Sequence, residues 1–307
     1  MDWPRPYWYL PPEIHTIERM LFVTGATGFI GRSLMTHLER SGIDAAVYSG
    51  RMNDPLTLRE QLQGMDTVIH LAGSEARGRS RLLQHVDIEG TERLIEESRR
   101  AGIKRLIVVS RLGADHHSWH ALLRAKGEVE RLVVGSGIPY TIVRASSLYG
   151  HGDRYFELIV SMAIWSWPFV WLPGGGRVPM QPLWVEDFTR CLLLILQQQE
   201  EMTNRVITVA GSEQVRYKQL VERLLAAAGI RRIPLRIPLV LLRPTSNMLF
   251  GWWYWPAVSR FFADRFFVPE VTDHDIVLRT FGFHPRRYEE NLNYLRRAGL
   301  RWRMFRR

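Results

Sequence analysis

From residue 20 onward, short apolar runs alternate with stretches of helical spacing. The runs at 20–24, 68–71, 106–109 and 140–143 are β-rich and almost continuously apolar, the pattern of strands covered on both faces. Their recurrence at the spacing of βα units predicts an α/β fold, a doubly wound parallel sheet with helices on both sides. A second apolar region, 159–172, reads as a helix. It is followed by a glycine turn at 173–176, a return strand through 185 and a helix begun by Glu186 and Asp187. Residues 205–230 supply one more strand and helix, so the first region and a smaller lid are expected to interleave.

The first strand runs straight into Gly25-Ala26-Thr27-Gly28-Phe29-Ile30-Gly31, and a helix follows through about residue 41. Glycines in a strand-to-helix turn allow a tight bend and close backbone approach, and the first amides of the helix can receive a pyrophosphate. The expected architecture is therefore a Rossmann-type sheet. Its parts are an extended arm at 1–19, a dinucleotide-binding region at 20–150 with a contribution from 177–230, a lid at 151–176 and 231–295, and a basic tail at 296–307.

Spacing after the first helix is abnormal. Barely a dozen residues separate Ser41 from the helix begun by Asp54-Pro55, too few for a strand, a crossover helix and another parallel strand. One strand-helix unit must be absent or much reduced, leaving 45–49 as the only strand there. Two registers remain open for Gly50-Arg51. If the strand is the second of the fold, Arg51 stands where a 2′-phosphate would be met. If it is the third, residues 50–55 (GRMNDP) resemble the G-D-x-x-D-P segment of the NAD-dependent epimerase/dehydratases, which implies that Arg51 replaces the Asp that holds adenine there. Either way an Arg at the adenosine end favours NADP(H) over NAD(H).

The segments TGATGFIG (24–31), DTVIHLAG (66–73), VVSRLGA (108–114), AKGEVE (125–130) and IVRASSLYGHGDR (142–154) resemble the extended and atypical short-chain dehydrogenase/reductases, the group of the NAD-dependent epimerase/dehydratases. The similarity covers nearly the whole chain after residue 19. It is strongest to the branch that includes the nucleotide-binding accessory subunit of respiratory complex I and the photosystem assembly proteins. The resemblance implies cofactor contacts at Gly25, Thr27, Gly28, Phe29, Ile30, Gly31, Arg51, Ala72, Gly73, Ser110 and Lys126. It also implies a Ser, Tyr and Lys for hydride chemistry, the Tyr acting as acid or base. Ser110 and Lys126 match the Ser and Lys, but the Tyr position, four residues before Lys126, is Leu122. Leucine has no proton to give, so conventional dehydrogenase activity is doubtful. His116, His117 and His120 lie just upstream as substitutes, imidazole titrating near neutral pH. Tyr140 at a strand start and Tyr149 at the lid entrance are poorly placed to replace it.

Composition narrows the setting. With 307 residues, 46% hydrophobic and 23% charged, the chain is globular, and its single cysteine, Cys191, excludes an internal disulfide framework and a thiolate metal site, which fits a reducing interior. The N-terminus shows no secretory pattern, and its prolines and aromatics suggest an extended arm packed on its own domain or on a partner. The apolar run at 158–172 is too short to span a bilayer. Net charge is +10, and all but Lys104, Lys126 and Lys218 of the 41 basic residues are Arg. Residues 250–267 hold nine aromatics, and 296–307 hold six Arg and no acid, with no RNA-recognition or zinc-ligand spacing. Aromatics beside Arg suit an anionic membrane surface or an acidic partner more than nucleic acid. The expected function is an NADP(H)-binding, catalytically reduced accessory or assembly subunit of a membrane-bound redox or photosynthetic complex, on the cytoplasmic side and peripheral to the membrane. The alternatives are an active reductase or epimerase of a small carbonyl or nucleotide-sugar substrate, and a docking module with an empty cofactor site.

Overall fold

The computed structural model describes residues 20–52, 54–75, 80–240 and 265–296. The arm at 1–19, most of the aromatic stretch (250–264) and the tail from 297 lie outside the described residues.

Six parallel strands form the central sheet: β1 (Leu21–Thr24), β2 (Ala45–Val47), β3 (Thr67–His70), β4 (Arg105–Arg111), β5 (Tyr140–Ala145) and β6 (Arg205–Val209). Their spatial order is β6-β5-β4-β3-β1-β2. The near-continuous apolar runs arise because alternate residues enter different cores. Leu21, Val23, Ile69, Ile107 and Val143 point to one face, where α1 (Phe29–Arg40) packs beside the later helix Val185–Gln197 through Leu34, Leu38, Phe188, Cys191, Leu192 and Ile195. Phe22, Val68, Leu106, Val108 and Ile142 point to the other. There the sheet is covered by α2 (Pro55–Gln61), α3 (Glu89–Ala101, preceded by a π-helical stretch Leu83–Ile88) and α4 (Ala121–Val134).

The shortened spacing after α1 has a definite result. β2 pairs directly with β1, Leu21 opposite Ala45 and Val23 opposite Val47, and the chain then crosses to β3 on the other side of β1. Ala45–Val47 is therefore the second strand, standing at the sheet edge, and this selects the first of the two registers for Arg51.

A second core gathers Phe156, Ile159, Val160 and Leu172 with Leu292 and with Leu220 and Leu224 of the helix Tyr217–Ala227. One expectation is corrected here: the apolar run at 159–172 is not a single helix. The helix α5 spans Phe156–Trp165, and after Pro168 the chain becomes a strand, β7 (Phe169–Pro173). Proline has no amide hydrogen to continue a helix, and Val170 and Leu172 reach the same core from an extended backbone. Beyond α6 (Val185–Gln197) and α7 (Tyr217–Ala227), β8 (Ile233–Ile237) pairs in parallel with β7. Among the described residues no helix is long and apolar enough to cross a membrane.

Candidate functional site

At the carboxyl end of β1, Gly25 turns with φ +74°, and a Cβ there would stand 2.7 Å from the amide nitrogen of Ala72. A Cβ on Gly31 would lie 2.5 Å from the Cα of Ala26 and press on the Gly25 carbonyl. Both positions admit only glycine, for backbone approach in one case and helix-to-strand packing in the other. Gly28 caps α1 in an extended conformation and offers no side-chain acceptor to the opening amides of Phe29, Ile30 and Gly31. The helix thus begins with donors free to meet an anion. The Thr27 carbonyl accepts a 2.8 Å bond from Nη1 of Arg32, a cation folded over the loop that the sequence reading did not single out.

Arg51 lies in the turn after β2 with its side chain exposed, while its carbonyl accepts the Tyr48 hydroxyl at 2.6 Å. Asp54, the nearest acid in sequence, is engaged in capping α2, accepting from the Thr57 amide at 3.3 Å, and the Thr57 bonds hold its carboxyl below the usual range.

Just past the end of β3 the structure brings together Ala72, Gly73 and Lys126. Nζ of Lys126 donates to Oδ1 of Asp87 at 3.1 Å, and a Cβ on Gly73 would be 3.3 Å from both atoms. Oδ2 of Asp87 accepts the Ser74 amide at 2.9 Å and the Ser74 hydroxyl as well. Asp87 was missed, although a signal exists: Leu83, Asp87, Thr91 and Leu94 repeat at helical spacing, so the acid stands on an otherwise inward-facing stripe. Behind it, His70 bonds Thr24 through Nδ1 at 2.7 Å and Thr91 through Nε2 at 3.1 Å. Burial, and then the charge of Lys126, hold its pKa down to about 4, so the ring is neutral at physiological pH.

Ser110 does not join this group. Its hydroxyl donates to Oε1 of Glu130 at 2.5 Å, and Arg144 closes on the same carboxylate at 2.6 Å. The residue is spent on holding α4 to the sheet. Leu122, at the Tyr position, is buried, and the hollow it lines is completed by Arg111, Leu112, Leu123, Arg265, Val268 and Glu270. Opposite charges fill the polar side of that hollow. Arg111 pairs with both Glu75 and Glu270, Arg265 pairs with Glu75 at 2.7 Å and stacks over the Tyr155 ring at 4.3 Å, and Ser147 donates to Glu270 at 2.5 Å. Burial would raise the pKa of Glu75, but Arg111 and Arg265 outweigh it and bring the group down to about 2. Arg265 and Phe266, the end of the aromatic stretch, thus face inward here rather than toward a membrane or partner. Nothing local marks this cluster in the sequence, because Arg111 and Glu270 are 159 positions apart.

Of the three histidines, His116 and His117 are exposed, their rings 3.9 Å apart and tilted to each other by 42°. His120 caps α4 and stacks on Phe267 at 6.0 Å, beside the same hollow. Tyr140 opens β5 at the opposite end of the sheet, and Tyr149 is fully buried between Phe156 and Trp184.

Residues 41–160 match the family model described as NAD(P)H-binding. The chain is 26% identical over 224 residues to the mitochondrial NADH dehydrogenase (ubiquinone) 1 alpha subcomplex subunit 9 of Arabidopsis thaliana, covering 65% of this chain and 56% of that one. The mouse protein of the same name is 24% identical over 304 residues, with 90% of this chain and 79% of the relative aligned. Among solved structures, a Thermus thermophilus UDP-glucose 4-epimerase in complex with NAD superposes with a TM-score of 0.69 at 15% identity, over 91% of this chain and 99% of the other, a likeness of fold.

Proposed function

We propose that the chain, whose residues 41–160 match an NAD(P)H-binding family model, is an epimerase/dehydratase-like relative of the short-chain dehydrogenase/reductases that holds a nicotinamide dinucleotide without turning it over. On this reading it serves as an accessory or assembly subunit of a membrane-bound redox or photosynthetic complex, peripheral to the membrane. The residues present fit the dinucleotide. Gly25, Gly28 and Gly31 leave a backbone cradle that side chains would fill, the amides of Phe29, Ile30 and Gly31 would meet the pyrophosphate, and Lys126 lies beside Gly73 for the nicotinamide ribose. Arg51 would meet an adenosine phosphate, which favours NADP(H). A bound dinucleotide supplies a hydride donor or acceptor.

One observation carries the non-catalytic reading: the place of the acid/base is occupied by the buried Leu122, in a hollow whose polar side is filled by Arg111, Arg265, Glu75 and Glu270. Among the described residues that line the hollow none carries a hydroxyl or an imidazole, and a substrate carbonyl would have to displace buried ion pairs. The association with a complex is supported by relatives named as subunits of mitochondrial NADH dehydrogenase. Ligand held by the folded state alone stabilises it by mass action without chemistry.

The test is mass spectrometry of nucleotide released on denaturing the purified protein, with NADPH oxidation followed over quinones, carbonyls and nucleotide sugars. Stoichiometric NADP(H) with no oxidation is expected. Release of no nucleotide would leave a docking module, and turnover would overturn the non-catalytic reading. A second reading, an active reductase using His120, is favoured only by the stacking of that ring on Phe267 beside the hollow. It requires turnover that His120→Ala or Lys126→Ala removes.

A further inference from the structure

Asp87 and Lys126 leave part of their hydrogen-bonding capacity unused. The Lys126 ammonium has three N–H donors, and among the described residues its one acceptor is Oδ1 of Asp87 at 3.1 Å. Oδ2 of Asp87 takes both the amide and the hydroxyl of Ser74, so Oδ1 is the oxygen with capacity to spare. The side chains are 1% and 11% exposed, and charges so buried are tolerable when their remaining donors and acceptors are met. Gly73 is exposed, and a Cβ on it would stand 3.3 Å from Nζ and from Oδ1 alike. The lack of a side chain there leaves both atoms open to a ligand that rests on Gly73.

The backbone that carries Asp87 is fixed from behind. Leu83–Ile88 is π-helical, a wide turn of the kind that recurs at functional sites. Thr91 donates to the Asp87 carbonyl at 2.5 Å. With that proton committed, Nε2 of His70 donates to Thr91, and Nδ1 accepts from the Thr24 hydroxyl. The turn is thereby tied to the ends of β3 and β1, the two strands that carry Gly73 and the glycine turn.

A donor and an acceptor side by side select the ligand group. A phosphate would suit Nζ but bring its negative charge against Oδ1, and a carbonyl could use the donor alone. A vicinal diol uses both, one hydroxyl accepting from Nζ and its neighbour donating to Oδ1. Leu122, at the position of the missing Tyr, offers neither. We propose that Asp87 is a specificity-determining residue that, with Lys126, recognises the cis-diol of a ribose. This rests on the reading that the chain holds a dinucleotide with its nicotinamide ribose at Lys126, and it adds the acceptor that selects the sugar.

Calorimetric titration of the full chain, stripped of nucleotide, would use NADP, 2′-phospho-ADP-ribose and 2′,5′-ADP, of which only the last lacks the second ribose. Asp87→Asn keeps an oxygen for the Ser74 amide and turns its NH2 toward Lys126, which removes the acceptor. It should weaken the first two ligands about tenfold and leave 2′,5′-ADP unchanged, the unchanged ligand also reporting that the variant is folded. On the wild type, 2′-phospho-ADP-ribose with either hydroxyl of its second ribose removed should bind about tenfold more weakly, a comparison that stands even if Asp87→Asn does not fold. Equal wild-type affinity for the ribose and deoxyribose ligands overturns the proposal. So does an Asp87→Asn variant that loses nothing, or that loses equally on all three ligands. Wild-type binding of none of the three removes the dinucleotide reading and the proposal with it, whereas 2′,5′-ADP binding with no dependence on the diol removes the proposal alone.

Discussion

Lys126 and Asp87 form a buried ion pair, Nζ to Oδ1 at 3.1 Å, directly beneath Gly73. Removing one member leaves the other charge without its counterpart in a place water reaches poorly. Lys126→Met is expected to cost about 3–5 kcal/mol, and the double variant Asp87→Asn/Lys126→Met to recover most of it, because Asn can still accept the Ser74 amide. Urea denaturation of the four proteins in a double-mutant cycle gives the coupling directly. Additive losses would show that the pair does not hold this end of the site.

Gly31→Ala places a methyl against the Ala26 Cα and the Gly25 carbonyl, both backbone atoms that cannot yield as a flexible side chain would. A loss of about 1–3 kcal/mol is expected, with disappearance of any thermal shift on adding NADPH. A variant that retains the full shift would show that the glycine turn is not the pyrophosphate seat.

Leu122→Tyr restores the residue type needed four positions before Lys126. The hollow around it is already filled by Leu112, Leu123 and the Arg265–Glu270 segment, so the added ring should destabilise by about 1–3 kcal/mol and yield no NADPH oxidation. Measurable turnover in this variant would mean that the cleft opens in solution and that only the hydroxyl was missing.

Asp153 supplies a pH test. It accepts the amides of Gly150, Phe156 and Glu157 and the Tyr294 hydroxyl, yet burial is the larger influence and pushes its pKa up to about 6. A carboxyl whose folded pKa is raised favours folding while protonated, and that contribution is lost as pH rises from about 4 through 6. His70 acts in the opposite sense: its depressed pKa costs stability as pH falls from about 6.5 to 4. The two slopes offset each other in the wild type. Asp153→Asn should therefore match the wild type near pH 4, gain up to about 2–3 kcal/mol above pH 6, and expose the His70 slope. Thermal or urea unfolding across this range checks it, and a difference that does not grow with pH would refute it.

The sheet was readable because strands covered on both faces cannot avoid being apolar, and the glycine turn because its three positions have steric reasons to be glycine. The loss of one strand-helix unit followed from chain length alone. Which sheet position Ala45–Val47 took did not, since a three-residue edge strand carries no mark of its neighbour until it pairs with β1. The break at Pro168 was hidden because the lid core accepts apolar residues from α5 and from β7 alike. Ser110 misled for a related reason. Its sequence context is that of the family, but its hydroxyl is aimed by Glu130 and Arg144, whose contribution appears only once α4 lies on the sheet.

The sheet face formed by Leu21, Val23, Ile69, Ile107 and Val143 is shared between α1 and Val185–Gln197. During synthesis, half of that cover is made long after the five strands it protects, and the sixth strand, Arg205–Val209, comes later still. A nascent chain of the first 150 residues carries the nucleotide cradle on a half-bare sheet, sticky and unable to close. Folding must wait for Val185–Gln197, which emerges only after α5 and β7, so the glycine turn and the second core mature together, and a ribosome-stalled fragment ending before residue 185 should be held by chaperones rather than by nucleotide.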